Sequence, residues 1–203
     1  MPLPDYFNTI ETPGTAEFKD RGSRFIAMAI PIKSIAEFKT KLAEIKKEYP
    51  KATHYCYAYR IGLDKNLFRV SDDGEPSGSA GRPILSQIDS KEVTDVLIVV
   101  VRYFGGSLLG VPGLINAYKS SAVLALQVTP LVRKPVLLRY ELHFDYTQMN
   151  TIMTIVKQLE CEVIKQEMQL FCQMIIGIPK LRLDEALMKL KDIRDVTIEK
   201  INA

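Results

Sequence analysis

The sequence has few cysteines, little excess charge and no long hydrophobic run, and each absence excludes a class of protein. Its three cysteines form no CxxC pair, which excludes the usual zinc-site spacings and is typical of a reducing compartment. No apolar run is long enough to cross a bilayer, and the first residues, MPLPDYFNTIE, are too polar for a signal peptide. A net charge of +3 over 203 residues does not indicate a dedicated nucleic-acid binder. We expect a soluble cytoplasmic protein with no cofactor and no membrane partner.

The most distinctive stretch of the chain runs from Val96 to Tyr118. Six apolar residues, Val96–Val101, predict a fully buried strand, because a half-buried strand would alternate. Arg102 ends this run, and a glycine-rich loop leads into a helix whose first turn holds Pro112. Such a unit can present backbone N–H groups to an anion, or its glycines can serve only a tight turn and close packing. Neither nucleotide fingerprint, GxGxxG or GxxxxGK[ST], is present.

An acidic loop, SDDGEPSGSAG, lies just upstream. Its carboxylates at Asp72, Asp73 and Glu75 flank Gly74, and three carboxylates this close can hold a divalent cation. They can also form a general acid/base pair in which each raises the pKa of the other. The alternative is a solvated turn, since Asp-Gly and Pro-Ser-Gly are typical turn sequences. The spacing of a calcium-binding EF-hand loop is absent, so the identity of any metal stays open.

Three further side chains are candidates for chemistry. His54 and Cys56 fall on one face of a predicted strand, where a Cys–His nucleophile is conceivable. Neighbours on one strand face lie about 6–7 Å apart, too far for a direct hydrogen bond, and this favours a structural histidine. Arg102 can pair with a carboxylate of the acidic loop, or contact a phosphate while Tyr103 or Phe104 stacks on a base. We favour the carboxylate pair.

The hydrophobic pattern divides the chain near Pro130 into two domains, residues 1–130 and 131–203. In the first, residues 1–15 are expected to be an extended lead-in, and Ser34 with Glu37 predicts a capped helix that Pro50 ends. The predicted strands there are Ala16–Asp20, Arg24–Pro31, Thr53–Leu63, Leu67–Val70 and Val96–Val101, with further helices after Pro83 and after the glycine-rich loop.

The second domain has a different rhythm, in the order β-α-β-β-α-β of the ferredoxin-like fold. The predicted strands are Val136–Phe144, Glu162–Met168, Leu170–Ile178 and Val196–Ile201. A first helix begins at the cap Asp145 and ends near Leu159, and a second follows Pro179. The fold class predicted for the whole chain is therefore α+β.

Together the two motifs resemble the IMPACT/YigZ family. The family pattern SDDGEPSGTAGxP is matched at Ser71–Pro83, and RYFGGxxLGxxGLxxAY is matched at Arg102–Tyr118. Eukaryotic members carry an additional N-terminal RWD domain, which this sequence does not show, so we expect the layout of the bacterial YigZ-like branch. Where many members have Lys, Gly and Arg, this chain has Leu108, Pro112 and Asn116, and two cationic groups are therefore missing from the possible anion site.

The resemblance implies a first domain like the second domain of a small-subunit ribosomal protein, and a second domain like the last domain of elongation factor G. The eukaryotic IMPACT member regulates translation through protein–protein contacts that inhibit the general-control kinase. We therefore expect a translation-associated, non-enzymatic protein that binds RNA, the ribosome or a translation-related protein. The alternative is a phosphate- or metal-dependent enzyme that uses the acidic and glycine-rich loops.

We expect the two loops to touch and to line one cleft in the first domain. The residues predicted to bind a ligand there are Ser71, Asp72, Asp73, Gly74, Glu75, Pro76, Ser77, Arg102, Tyr103, Phe104, Gly105 and Gly106. Nucleic acid, if bound, would meet a basic rim formed by Arg60, Arg82 and Arg102.

Overall fold

The computed structural model describes residues 3–169 and 171–201. They form two compact units, one of residues 7–134 and one of residues 3–6 with 135–201. The strands are β1 (Tyr6–Ile10), β2 (Gly14–Asp20), β3 (Ser23–Pro31), β4 (His54–Ile61), β5 (Leu67–Ser71), β6 (Val96–Tyr103), β7 (Leu131–Pro135), β8 (Leu137–Asp145), β9 (Glu162–Glu167), β10 (Phe171–Pro179) and β11 (Thr197–Lys200). The helices are α1 (Ile35–Glu48), α2 (Gly81–Ser90), α3 (Gly110–Val128), α4 (Met149–Gln158) and α5 (Leu183–Lys191).

The first unit is built on a five-stranded antiparallel sheet in the order β2-β3-β6-β4-β5. Its central strand is β6, and the six apolar residues Val96–Val101 are fully buried, as their unbroken pattern predicts. One sheet face packs against α2 and α3, while α1 covers the other. Every side chain on β6 therefore meets a helical layer, whichever face it points to.

The predicted start of α1 is confirmed. The Ser34 hydroxyl accepts a hydrogen bond from the Glu37 N–H at 3.2 Å, and the Glu37 carboxylate accepts one from the Lys33 N–H at 2.8 Å. This is a capping box whose return bond reaches one residue further upstream than usual.

The second unit has the order β8-α4-β9-β10-α5-β11, and its antiparallel sheet runs β11-β8-β10-β9. Both helices pack on one face of that sheet, around a core that includes Leu142, Ile152, Ile176 and Leu190. The ferredoxin-like prediction is confirmed, and with it the α+β fold class.

Several predicted boundaries are wrong, each for a physical reason. Strand β6 continues through Arg102 and Tyr103, because Arg102 finds a buried partner and need not leave the sheet. Helix α2 begins at Gly81 rather than after Pro83, which fits inside the first turn. The extended lead-in predicted for residues 1–15 contains β1, which pairs with β7 just after the expected domain boundary. Of the predicted strand Leu170–Ile178, Leu170 lies outside the described residues.

No helix among the described residues is long and apolar enough to span a membrane.

Candidate functional site

The acidic loop between β5 and α2 holds its three carboxylates apart. Asp72 accepts backbone hydrogen bonds from Gly78 at 2.8 Å, Ala80 at 3.0 Å and Gly81 at 2.8 Å. Asp73 turns the other way and accepts one from the Tyr55 N–H at 2.7 Å. The two aspartates therefore organise backbone rather than share a bound ion.

The pKa of Asp72 follows from this role. Burial alone would raise its pKa, but the three backbone N–H donors outweigh burial, with a smaller contribution from the Arg82 charge, and the pKa lies below its ordinary value. The acid/base pair considered for this loop, in which each carboxylate raises the pKa of the other, therefore does not describe Asp72. These donors favour the ionised carboxylate, and the same hydrogen bonds fix the loop ahead of α2.

Glu75, the third carboxylate, points into the first unit and is 8% exposed. Its Oε1 accepts hydrogen bonds from Arg102 Nη1 at 2.6 Å and from the Tyr118 hydroxyl at 2.7 Å. Arg102 itself is 4% exposed and lies near the end of β6, and Tyr118 projects from the middle of α3. One buried carboxylate thus joins the acidic loop, the central strand and the helix after the glycine-rich loop.

Arg102 is held from several sides. Its Nη2 donates to the Ser23 hydroxyl at 3.3 Å, and its Cζ lies 5.4 Å from the centre of the Phe25 ring and 5.6 Å from that of Phe104. Within residues 3–169 and 171–201, its Nε finds no hydrogen-bond partner. A guanidinium this enclosed depends on Glu75 for charge compensation.

His54 and Cys56 border the same group. His54 Nδ1 lies 2.8 Å from the Asp73 carbonyl oxygen, which can only accept, so Nδ1 carries the proton and Nε2 faces Glu75 at 3.9 Å. Cys56 lies within hydrogen-bond distance of the Asp72 carbonyl and the Tyr118 hydroxyl. Burial raises the pKa of the Cys56 thiol well above its ordinary value, so it stays protonated and is no nucleophile.

The glycine-rich loop is shaped by close packing. A Cβ on Gly105 would lie 1.9 Å from the backbone of Gly22 in the turn between β2 and β3, so only glycine fits there. The Gly105 N–H donates to the Ser23 hydroxyl at 3.2 Å and is not free for an anion. Leu109 stands at the N-cap of α3 with no side-chain cap, and Leu108 is exposed beside it. Of the two roles considered for these glycines, the geometry at Gly105 fits the tight turn.

The remaining predicted ligand-binding residues are dispersed. Tyr103 follows Arg102 on β6 and therefore points to the opposite sheet face, among residues packed on α1. Phe104 is 46% exposed, and its N–H donates to the Thr53 hydroxyl. The Ser71 hydroxyl accepts from the Asp73 N–H at 3.3 Å. Like Phe104, the following predicted residues lie at the surface: Asp73, Gly74, Pro76, Ser77 and Gly106.

Two of the three arginines predicted to contact nucleic acid are already engaged. Arg60 is 8% exposed, donates to Asp89 at 2.6 and 2.9 Å, and also bonds the Lys65 carbonyl. Arg102 is engaged with Glu75, and Arg82 alone of the three is exposed. The predicted basic rim is wrong in this respect. The sequence does indicate this burial, because alternation along β4 places Arg60 on the same face as Cys56 and Ala58, which are fully buried.

Sequence reasoning missed Tyr118 and Ser23, although both bind the central ion pair. Tyr118 does carry a signal: it is spaced by four from Leu114 and Ala122 on the buried face of α3, and a buried tyrosine hydroxyl needs a partner. Ser23 carries no such signal, because it is the first residue of β3 and its partner Arg102 lies 79 positions along the chain.

The described part of the chain holds no preformed metal centre. Across residues 3–169 and 171–201, no group of three His, Cys, Asp or Glu side chains is arranged to hold a metal ion. The three acidic-loop carboxylates, which suggested such a centre, face three different sets of partners.

The chain matches known proteins along most of its length. The model of the Impact N-terminal domain matches residues 21–126, which include β3–β6, both loops and nearly all of α3. The IMPACT family member YigZ of Escherichia coli is 34% identical over 182 residues, covering 89% of each chain. The family member YvyE of Bacillus subtilis is 37% identical over 150 residues, covering 74% of this chain and 69% of that one.

A solved structure is also similar to this chain over nearly its whole length. A crystal structure described only as that of a hypothetical protein superposes with a TM-score of 0.77 at 31% identity, and the match covers 98% of this chain and 99% of that one. The family model matches more than half of the chain, and two relatives are more than 30% identical to it over more than two thirds of their own length. The chain therefore belongs to the IMPACT family.

Proposed function

We propose that this chain is a cytoplasmic, non-enzymatic regulator that acts on translation by binding a protein partner. Membership of the IMPACT family supports a role in translation, because the family resemblance implies regulation through protein–protein contacts. The partner is a translation-related protein, and the binding surface lies at the start of α3.

The observation that carries this proposal is an accumulation of exposed apolar side chains there. Phe104 is 46% exposed, Leu108 is 85%, Val111 is 47% and Ile115 is 39%. Val111 and Ile115 are four residues apart and share one face of α3. We call these four residues the α3-start surface. Exposed apolar side chains that accumulate in one region mark protein interaction sites more often than chance exposure does.

The arginines of the predicted basic rim favour a protein over RNA. Nucleic-acid affinity depends on free cations that can reach phosphates. Arg60 and Arg102 are each buried against a carboxylate, which leaves Arg82 as the exposed member of the predicted rim. The chain also has Leu108 and Asn116 where the family resemblance implies Lys and Arg, so its contact with a partner is more apolar.

The enzyme alternative receives no such support. A general acid or base needs a carboxylate in reach of substrate, but Glu75 is buried and bonded to Arg102 and Tyr118. A cysteine nucleophile needs a thiolate, and burial holds Cys56 in the thiol form. Instead, the hydrogen bonds of Glu75 to Arg102 and Tyr118 join the acidic loop, β6 and α3. They thereby fix the position of α3, on which part of the α3-start surface lies.

Translation output in a lysate of the source cells tests the proposal. The full chain should change reporter synthesis in a dose-dependent way, and a Leu108→Ser/Val111→Ser variant should need about tenfold more protein for the same effect. Val128→Ser is the matched control, since Val128 is 56% exposed at the other end of α3, and it should act like the wild type. If the double variant is as active as the wild type, the surface is wrong; if the wild type has no effect, the role in translation is wrong.

A further inference from the structure

One face of the four-stranded sheet in the second unit is left open by its own helices. Tyr140, Leu142 and Phe144 on β8 point to the helices and are buried, so the residues between them point the other way. The strand register extends this division across the sheet. The outward positions, which we call the open face, are Leu137, Arg139, Glu141, His143 and Asp145 on β8, Phe171, Gln173, Ile175 and Gly177 on β10, Glu162, Ile164, Lys165 and Glu167 on β9, and Thr197 and Glu199 on β11.

The open face is acidic. It carries five carboxylates and two cations, so its formal charge is −3, whereas the chain as a whole is +3. One of the cations, Lys165, already pairs with Glu167 at 2.6 Å. Negative charge is thus concentrated on the open face, although the whole chain has a positive net charge.

Two of these carboxylates lie directly opposite each other on neighbouring strands, Glu141 on β8 and Glu199 on β11. Directly opposed positions place their Cβ atoms about 4.5–5.5 Å apart, and like charges there destabilise the sheet. Glu141 has a local donor in Gln173 and lies 3.6 Å from His143, but Glu199 adds a second negative charge to the same spot. A cation from outside the chain would relieve this repulsion.

Apolar side chains lie on the same face. Phe171 is 77% exposed and Ile164 is 43% exposed, each on a strand next to the acidic positions. A ligand that fits both features has positive charges and apolar side chains along an extended or helical backbone. A bare metal ion or a polyamine would leave the apolar side chains uncovered.

We propose that the open face binds a protein segment rich in lysine or arginine and carrying apolar side chains. RNA is the other ligand that sheets of this topology bind, through aromatic residues on the central strands. Here the middle positions of the two central strands are Glu141, His143, Gln173 and Ile175, and carboxylates repel phosphates. The proposal concerns a different surface from the α3-start surface and does not rest on the proposed function.

Fluorescence anisotropy with defined probes tests it on the full chain. The probes are a labelled peptide of alternating lysine and leucine, the same peptide with glutamate for lysine, and a labelled oligouridine RNA. The lysine peptide should bind, its Kd should rise with NaCl because the attraction is screened, and the other two probes should bind far more weakly. A Glu141→Gln/Glu199→Gln variant should raise the Kd of the lysine peptide about fivefold, because it removes two carboxylates, one half-buried and one exposed, that would pair with the lysines.

The matched control is Glu44→Gln/Glu48→Gln on α1, which changes the net charge equally at exposed positions of the first unit. It should leave the Kd within a factor of two. Phe171→Ser, at a residue too exposed to affect folding, should weaken binding at high salt as well. Equal losses in both double variants, no binding of the lysine peptide, or tighter binding of the RNA would each overturn the proposal, provided circular dichroism shows that the variants are folded.

Discussion

Replacing Glu75 by glutamine removes a charge from the buried pair while keeping its shape. The glutamine carbonyl can still accept from Tyr118, but Arg102, 4% exposed, loses its counter-charge. Removing one partner of a buried ion pair leaves an uncompensated charge, so we expect Glu75→Gln to lower the free energy of unfolding of the first unit by about 3 kcal/mol. Glu11→Gln is the matched control, because Glu11 also pairs with a cation, Lys134 at 2.7 Å, but the two side chains are 55% and 38% exposed. It should cost about 1 kcal/mol or less.

Urea unfolding followed by circular dichroism measures both variants, with separate fits if the two units unfold in separate transitions. The double variant Glu75→Leu/Arg102→Met should be more stable than Glu75→Gln, because no charge is then left unpaired. The reasoning is refuted if Glu75→Gln costs no more than Glu11→Gln, or if the double variant is the least stable of the three.

Three further outcomes follow from the same geometry. Gly105→Ala should lower the free energy of unfolding by about 2–3 kcal/mol, because the added Cβ would lie 1.9 Å from the backbone of the β2–β3 turn. Gly78→Ala is the control: φ is +76° there and nothing lies within 4 Å of the added Cβ, so it should cost about 1 kcal/mol in the same unfolding assay. Equal costs would argue against a steric clash at Gly105. Mass spectrometry should show that iodoacetamide labels Cys161 before Cys56. Burial raises the pKa of Cys161 to about 11, so the labelling rate at Cys161 should rise as the pH approaches that value. Faster labelling of Cys56 would contradict the burial of Cys56. The pKa of Asp72 is lowered on folding, so the ionised Asp72 stabilises the folded chain above about pH 3.9, and this contribution is lost as the pH falls further. The difference in free energy of unfolding between wild type and Asp72→Asn should therefore shrink from pH 5 to pH 2. A constant difference would be inconsistent with the lowered pKa.

Local patterns predicted the elements whose causes are local. Ser34 and Glu37 form the α1 cap within three residues, and the unbroken Val96–Val101 run marks the centre of the sheet. The second unit followed from its alternating strands and spaced helical apolar residues. The family assignment followed from Ser71–Pro83 and Arg102–Tyr118 read together.

What local patterns could not show are contacts distant in sequence. Arg102 looked like the end of β6 because a charge interrupted an apolar run, yet its partner Glu75 lies 27 positions away and keeps it inside the sheet. The acidic loop looked like one cluster, but its carboxylates separate because Asp72 turns to the start of α2 and Glu75 turns inward. Arg60 looked available to a phosphate until Asp89 on α2 was placed beside it.

Site-specific photo-crosslinking tests the central claim, that a protein partner in translation binds the α3-start surface. A benzophenone side chain would be placed at Leu108, 85% exposed, and in a second variant at Val128, and both full-length chains would be irradiated in the source cells. We predict a nuclease-resistant adduct from position 108, identified by mass spectrometry as a protein of the translation apparatus, and no such adduct from position 128. An adduct that nuclease removes, an adduct formed equally from both positions, or none from position 108 would contradict the account.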